Sequence, residues 1–272
     1  MRRIINLRPS TGSAVLLAAL PFLLLLIAYL LGSSVRLAAN PEDKLLPAFS
    51  KIGAAVQQYA IDPDPRTGEI LLWADTAASL ARLGWGLAIS AALGLALGIV
   101  TGIVPYARAG LSAFIAAVSL IPPLAILPIL FIVFGLGELS KVVLIVIGIA
   151  PFLVRDLALR AGEIPAEQII KAQTLGASSW QLTLRVVLPQ LLPRLLDALR
   201  LSLGSAWLFL IAAEAIAAEN GLGYRIFLIR RYLAMDVILP YVLWITLIAF
   251  AMDYLLRRVT RAAFPWYAGN GK

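Results

Sequence analysis

Six apolar runs, each close to the length that carries an α-helix across a hydrocarbon core of about 30 Å, decide what this chain can become. They cover about 13–31, 83–104, 111–134, 142–157, 199–218 and 237–256. Lipid offers the backbone no hydrogen-bond partners, so these runs must satisfy their own amides as helices. The expected fold is an all-α membrane protein with about six transmembrane helices. The composition agrees, because 61% hydrophobic and 14% charged residues is far from the balance of a soluble domain. The chain has no cysteine and no histidine. That excludes a disulfide framework, thiolate or imidazole metal sites, and Ser-His or Cys-His nucleophile pairs, so no catalytic, cofactor-binding or metal residue is expected. A net charge of +8 then reads as Lys and Arg gathered on the cytoplasmic side, not as a nucleic-acid surface.

The first run is longer than the roughly 7–15 residues of a signal-peptide core and reads as a retained span. From Gly32 to Ala78 the chain is polar and acidic, with Asn40-Pro41-Glu42-Asp43 and Asp62-Pro63-Asp64-Pro65 punctuating it around an amphipathic stretch, Leu45 to Tyr59. This is an extracytoplasmic excursion. The second run carries Gly84, Gly86, Gly94, Gly98 and Gly102, and glycine at four-residue spacing makes a small face for close helix packing in lipid. The third contains Pro122, Pro123 and Pro128, which free backbone carbonyls. It should therefore be kinked and lie against protein or a watery path, lining a translocation pathway with Ser202, Gly204 and Ser205 of the fifth run. Glu214 is costly in lipid unless it is paired or faces water, and its expected partner is Arg82 or Arg225.

The longest polar interruption of the second half, 160–197, is helix-forming up to Leu175, is broken by Gly176 and is helix-forming again after Ser178. Glycine takes the left-handed conformation there without a Cβ penalty, Ser178 or Ser179 can cap the next helix, and Leu188-Pro189 marks a further boundary. Apolar Ile169, Ile170, Leu175 and Trp180 in this polar setting need a partner surface. Six spans put both termini and this loop on one side of the membrane. That side gathers Arg2, Arg3, Arg8, Arg108, Arg155, Arg160, Lys171, Arg257, Arg258, Arg261 and Lys272, which makes it the cytoplasmic one.

Ala172, Gly176 four residues on, and Val186-Val187-Leu188-Pro189 after nine more residues resemble the cytoplasmic loop signature of permease subunits of bacterial ABC importers. The match departs at Ile170 and Lys171, where that signature has Glu and Ala. Further stretches, in order, resemble the taurine, alkanesulfonate, nitrate and bicarbonate subgroup of the binding-protein-dependent transport inner-membrane component family. They are Ser79-Leu80-Ala81-Arg82, Pro122 to Pro128, Phe134 to Lys141, Ala212-Ala213-Glu214 and Gly221-Leu222-Gly223. The resemblance covers roughly 76–260, and the excursion before it is longer than the resemblance implies.

That resemblance implies a type I ABC importer permease fold with a cytoplasmic coupling helix. Ala172, Leu175, Gly176, Ala177, Ser178, Trp180, Leu188 and Pro189 would couple to an ATPase, while Pro122, Pro123, Pro128, Ser202, Ser205 and Glu214 would form the pathway or its gate. It also implies a second copy of the chain, two cytoplasmic ABC ATPase subunits, an extracytoplasmic substrate-binding protein and membrane lipid as partners, and no nucleic acid. No phosphate-binding G-x-x-x-x-G-K-[ST] loop occurs, so ATP and Mg belong to the partner ATPase. The expected divisions are an N-terminal helix and extracytoplasmic segment (1–75), a permease core (76–260) containing the 160–197 loop, and a cytoplasmic tail (261–272). The chain would lie in the bacterial inner membrane with both termini in the cytoplasm, passing a small anionic solute. A secondary transporter without an ATPase is the alternative; it would want inverted repeats, and the sequence shows no repeat.

Overall fold

The computed structural model describes residues 9–268 and is helical, with no strand among the described residues. Arg2, Arg3, Arg8 and Lys272, which enter the charge argument, lie outside that range. Helix α1 (Thr11–Ala39) is capped by Ser10, and its apolar side chains, such as Leu16, Phe22 and Leu25, stay exposed on all sides. It is a surface made for lipid. Its polar contacts gather near its end, where Tyr29 and Ser33 donate to the carbonyls of Pro47 and Leu46 (2.6 and 3.0 Å) and Arg36 pairs with Asp43. The amphipathic excursion folds as α2 (Phe49–Ala60), whose Tyr59 meets Tyr241 edge-on at 6.0 Å.

The core is the parallel pair α3 (Leu71–Ile103) and α6 (Glu138–Gly162), whose contacts keep one register from Gly86 against Ile145 to Gly102 against Ala161. Between them come α4 (Pro105–Ser119) and α5 (Leu127–Phe134). Gly86, Ser90, Gly94, Gly98 and Gly102 recur every four residues on α3, all of them buried. A Cβ added at Gly86, Gly94 or Gly98 would sit 2.6, 2.6 or 2.7 Å from Ile145, Leu153 or Leu157. Ser90 fits the same stripe by returning its hydroxyl to the Gly86 carbonyl at 2.7 Å. Close backbone approach is what binds helices in lipid, where burial of apolar surface gives no driving force. Gly84 is exposed and meets nothing.

Three expectations need correcting. First, α3 begins at Leu71, not at about Leu83. Its first turns carry Asp75 and Thr76, which the expected excursion included, and Ser79 and Arg82, and all four are buried against partners. Second, the third run is broken and not merely kinked: α4 and the segment Pro123–Phe134 meet at 80° across Leu120–Pro122. Proline biases the residue before it away from helix, and two prolines in succession leave Pro122 itself extended (ψ 117°) before a 3-10 turn, Pro123–Ile126, leads into α5. Since α3 ends beside the end of α6, with Gly102 against Ala161, and α6 begins at the opposite end, the broken segment is a full crossing. Five unbroken long apolar helices and this one make six. Third, Leu188-Pro189 is no boundary. After α7 (Ala166–Thr174) and α8 (Ser179–Leu182), a π-type turn at Thr183–Val187 carries the chain into α9 (Leu188–Ala217), and Ser179–Ala217 is one continuous helix. The Leu188 amide reaches back five residues to Thr183, a wider register that accommodates the amide missing from Pro189. The chain closes with α10 (Leu222–Arg230), α11 (Met235–Ala263) and α12 (Pro265–Ala268).

The glycine stripe makes a sharp prediction. Gly98→Ala should lower the stability of the purified protein by about 1–3 kcal/mol, the usual cost of overpacking a filled interface. Gly84→Ala, into open space, should change it by less than about 0.5 kcal/mol. Thermal melts of both variants in one detergent check this.

Candidate functional site

At one end of the bundle the polar loop forms a helical hairpin. Helix α7 ends where Gly176 turns left-handed (φ 79°), its amide donating to Gln173 (2.9 Å) while the Ala177 amide reaches Ala172 (3.0 Å). These two bonds are the Schellman pattern, which satisfies carbonyls that a helix end otherwise leaves open. Of the two serines considered, Ser178 caps α8: its hydroxyl accepts from the Gln181 amide, and the Gln181 side chain accepts from the Ser178 amide. Ala172, Ala177, Leu188 and Pro189 are half-buried, whereas Leu175 and Trp180 are 88% and 70% exposed and Ile170 projects beside them. Ile169 turns inward onto the core. The hairpin thus presents apolar side chains at its tip on a rigidly capped turn.

The opposite end holds an ion network built from four segments far apart in sequence. Glu214, wholly buried near the end of α9, accepts from Arg82 Nη1 (2.6 Å), from the Ser79 hydroxyl (2.8 and 3.0 Å) and from the Gly223 amide (2.8 Å). The Arg82 guanidinium also donates to Glu138, the Asn220 carbonyl (2.9 Å) and the Asn220 side chain (2.5 Å). Glu138 in turn accepts from buried Lys141 at 3.1 Å. Of the two partners expected for Glu214, Arg82 is the one it has. Arg225 instead pairs with Asp75 (2.8 Å), which also accepts from the Gly221 amide and the Tyr241 hydroxyl. Gly221 (φ 119°) brings its backbone so close that a Cβ would lie 2.6 Å from the Glu214 carboxylate. Asp75, Glu138 and Asn220 escaped the sequence reading as site residues, although Glu138 lies in a stretch already singled out.

The residues expected along the pathway do not form one cluster. Ser202 is buried with its hydroxyl on the Leu199 carbonyl (2.9 Å), while Gly204 and Ser205 are exposed. Of those named, Pro123 lines a cleft of about 590 Å³ at the break of the third crossing; Pro122, Pro128, Ser202, Ser205 and Glu214 do not. Beyond the bundle, α12 folds back onto α9: Tyr267 donates to Asp197 at 2.7 Å beneath the Arg194 guanidinium. Burial first, and then this bond to a carboxylate, raise the Tyr267 pKa.

The chain is thus a helical membrane bundle with a capped hairpin at one end and a buried ion network at the other. Residues 91–266 match the family of binding-protein-dependent transport system inner membrane components, and the chain belongs to that family. It is 40% identical over 197 residues to the taurine transport system permease protein TauC of Escherichia coli K12, covering 72% of this chain and 71% of that one. Identity is 29% over 189 residues to the putative aliphatic sulfonates transport permease SsuC of Bacillus subtilis, covering 69% and 68%. It is 27% over 254 residues to the nitrate import permease NrtB of Synechococcus elongatus, covering 90% of each. Two solved structures share the fold. A bacterial ABC transporter for the import of alginate superposes with TM-score 0.64 at 13% identity over 93% of this chain and 97% of that one. The inward-facing MetNI methionine ABC transporter gives 0.60 at 23% over 68% and 92%. The chain is therefore a multi-pass inner-membrane permease subunit of the ABC-importer type, a transport component and not itself an enzyme; a secondary transporter is not favoured.

The network predicts how Glu214 will respond to substitution. Glu214→Gln leaves Arg82 buried with its charge only partly answered, at a cost of about 3–5 kcal/mol. Exchanging the charges (Arg82→Glu with Glu214→Arg) should not restore stability, because an arginine offers no acceptor to the Gly223 amide or the Ser79 hydroxyl. Melting curves of the single and double variants decide it.

Proposed function

We propose that this chain is the membrane permease of an ATP-driven importer for a small anionic solute such as a sulfonate or nitrate. It works as two copies with two cytoplasmic ATPase subunits, which bind ATP and Mg, and with an extracytoplasmic protein that delivers the solute. The observation that carries the reading is the hairpin: Leu175 and Trp180 stand exposed on a turn fixed by Gly176 and Ser178, a knob shaped to enter a groove on a soluble partner. In this reading the hairpin end and both termini face the cytoplasm, and the Glu214 network closes the outer end of the permease. Because α8 continues without a break into α9, a pull on the hairpin is transmitted as rigid-body motion to a helix that reaches Glu214. Two packed arrangements biased by ATP would then alternate access. A small solute bearing an anionic group is supported by relatives described as permeases for taurine, aliphatic sulfonates and nitrate.

The test is reconstitution. The chain, co-expressed with a Walker-motif ATPase, should purify as a complex that takes up taurine, an alkanesulfonate or nitrate into liposomes only with ATP and a binding protein. ATP-independent uptake driven by an ion gradient would overturn the reading. Trp180→Ala should leave the melting temperature of the isolated subunit unchanged yet weaken ATPase association by about 2 kcal/mol or more, as loss of a buried aromatic anchor does. Gly176→Val forces a β-branched residue to positive φ, at about 1–2 kcal/mol locally. It should uncouple ATP hydrolysis from uptake in whatever complex still assembles, and normal coupling there would count against the hairpin.

A further inference from the structure

The cleft at the break of the third crossing lies between the end of α4, α6 and α9, and its walls include Val118, Ile121, Pro123, Gly148, Phe152 and Phe209. Two charged side chains enter this apolar setting, Arg155 and Asp156. Asp156 is answered by Arg160 (3.7 Å) one turn along the same helix. Arg155 donates to the Ser119 hydroxyl at 2.8 Å, and no carboxylate pairs with it among the described residues. It also lines the neighbouring cleft between α4 and α6, beside Ser112.

Its depth follows from the core packing. Leu153 and Leu157 of α6 rest against Gly94 and Gly98 of α3, while Ala161 meets Gly102 near the helix end. Arg155 therefore lies at the level between Gly94 and Gly98, toward the cytoplasmic end of the apolar run and about 10 Å from the end of α6. At the far end of the bundle the buried Arg82 and Lys141 have Glu138 and the half-buried Arg225 has Asp75, whereas Arg155 is an exposed residue on the cleft wall. An exposed arginine on a cleft wall without a carboxylate partner is open to water or to an anion.

We propose that Arg155 is the group in the membrane path that holds the transported anion, its guanidinium taking two oxygens of a sulfonate or nitrate. A planar fork of donors suits such oxyanions, and the bond to Ser119 leaves most of the fork free. Ser119 closes α4 just before the break, so the position of the break sets where the cation points. This rests on the reading that the chain passes an anion. An arginine that merely belongs to a positive cytoplasmic rim would bias charged reagents by its field but would not hold a solute.

The absence of native cysteine makes the distinction measurable. Ile121→Cys places one thiol on the cleft wall, and Val118→Cys is the second position if the first fails to assemble. In the complex in nanodiscs, the reaction rates with a sulfonate-bearing and a trimethylammonium-bearing methanethiosulfonate of similar size give a ratio that reads the local charge. The ratio should favour the anionic reagent about tenfold more with Arg155 than with Arg155→Gln, and Arg155→Lys should retain most of that preference. Millimolar nitrate or ethanesulfonate should slow the anionic reagent only where the cation is present. A ratio indifferent to Arg155→Gln, or a preference that neither anion competes with, overturns the proposal. Failure of the complex to import any anion would instead refute the cargo assigned above, while the labelling ratio would still report on Arg155.

Discussion

The close approach of α3 to α6 fixes how the two ends of the bundle's core are spaced. Four glycines and a serine on one face let the backbones meet at van der Waals contact along almost the full width of the membrane. Lipid tails are as apolar as leucine, so such contact stands in for the burial term that would hold a soluble bundle together. The stripe also fixes the relative height of the two helices. Arg82 therefore reaches Glu138 at one end and Gly102 stops beside Ala161 at the other, and the depth of Arg155 follows from the same register.

Much of this was open to reading in the chain, because the physics involved is local. Apolar run length gives the spans, a four-residue glycine period gives the contact face, and Gly176 followed by Ser178 gives the hairpin. The pairing of Glu214 with Arg82 was one of two options that burial of a carboxylate allowed. What escaped depends on distant groups cancelling one another. Asp75, Ser79 and Arg82 lengthen α3 past any hydropathy limit because their partners come from α6, α9, α10 and α11. The same holds for prolines. Pro21, Pro151, Pro193 and Pro240 lie inside unbroken helices, whereas Pro122-Pro123 turns the chain through 80°. Composition could rank these positions as candidates for bending but could not assign the angle, which neighbouring helices settle.

The stretches that carried the family resemblance look different once folded. Ser79-Leu80-Ala81-Arg82, the segment ending in Glu138 and Lys141, Ala212-Ala213-Glu214 and Gly221-Leu222-Gly223 converge on one carboxylate and one guanidinium. The two glycines belong to that site as much as the charges do, since Gly223 supplies an amide and Gly221 the room. The hairpin stands at the other end of the same continuous helix, so one helix joins the two polar ends.

The ion network at the Glu214 end has a further property that none of its bonds shows singly. Arg82, Lys141 and Arg225 are matched by Asp75, Glu138 and Glu214, so with all six ionised the assembly carries no net charge. A resting membrane potential exerts about 2.3 kcal/mol per elementary charge per 100 mV on anything that crosses its field. On a neutral cluster displaced as a unit that work cancels, so under the function proposed above the membrane potential would do no net work on this end of the bundle.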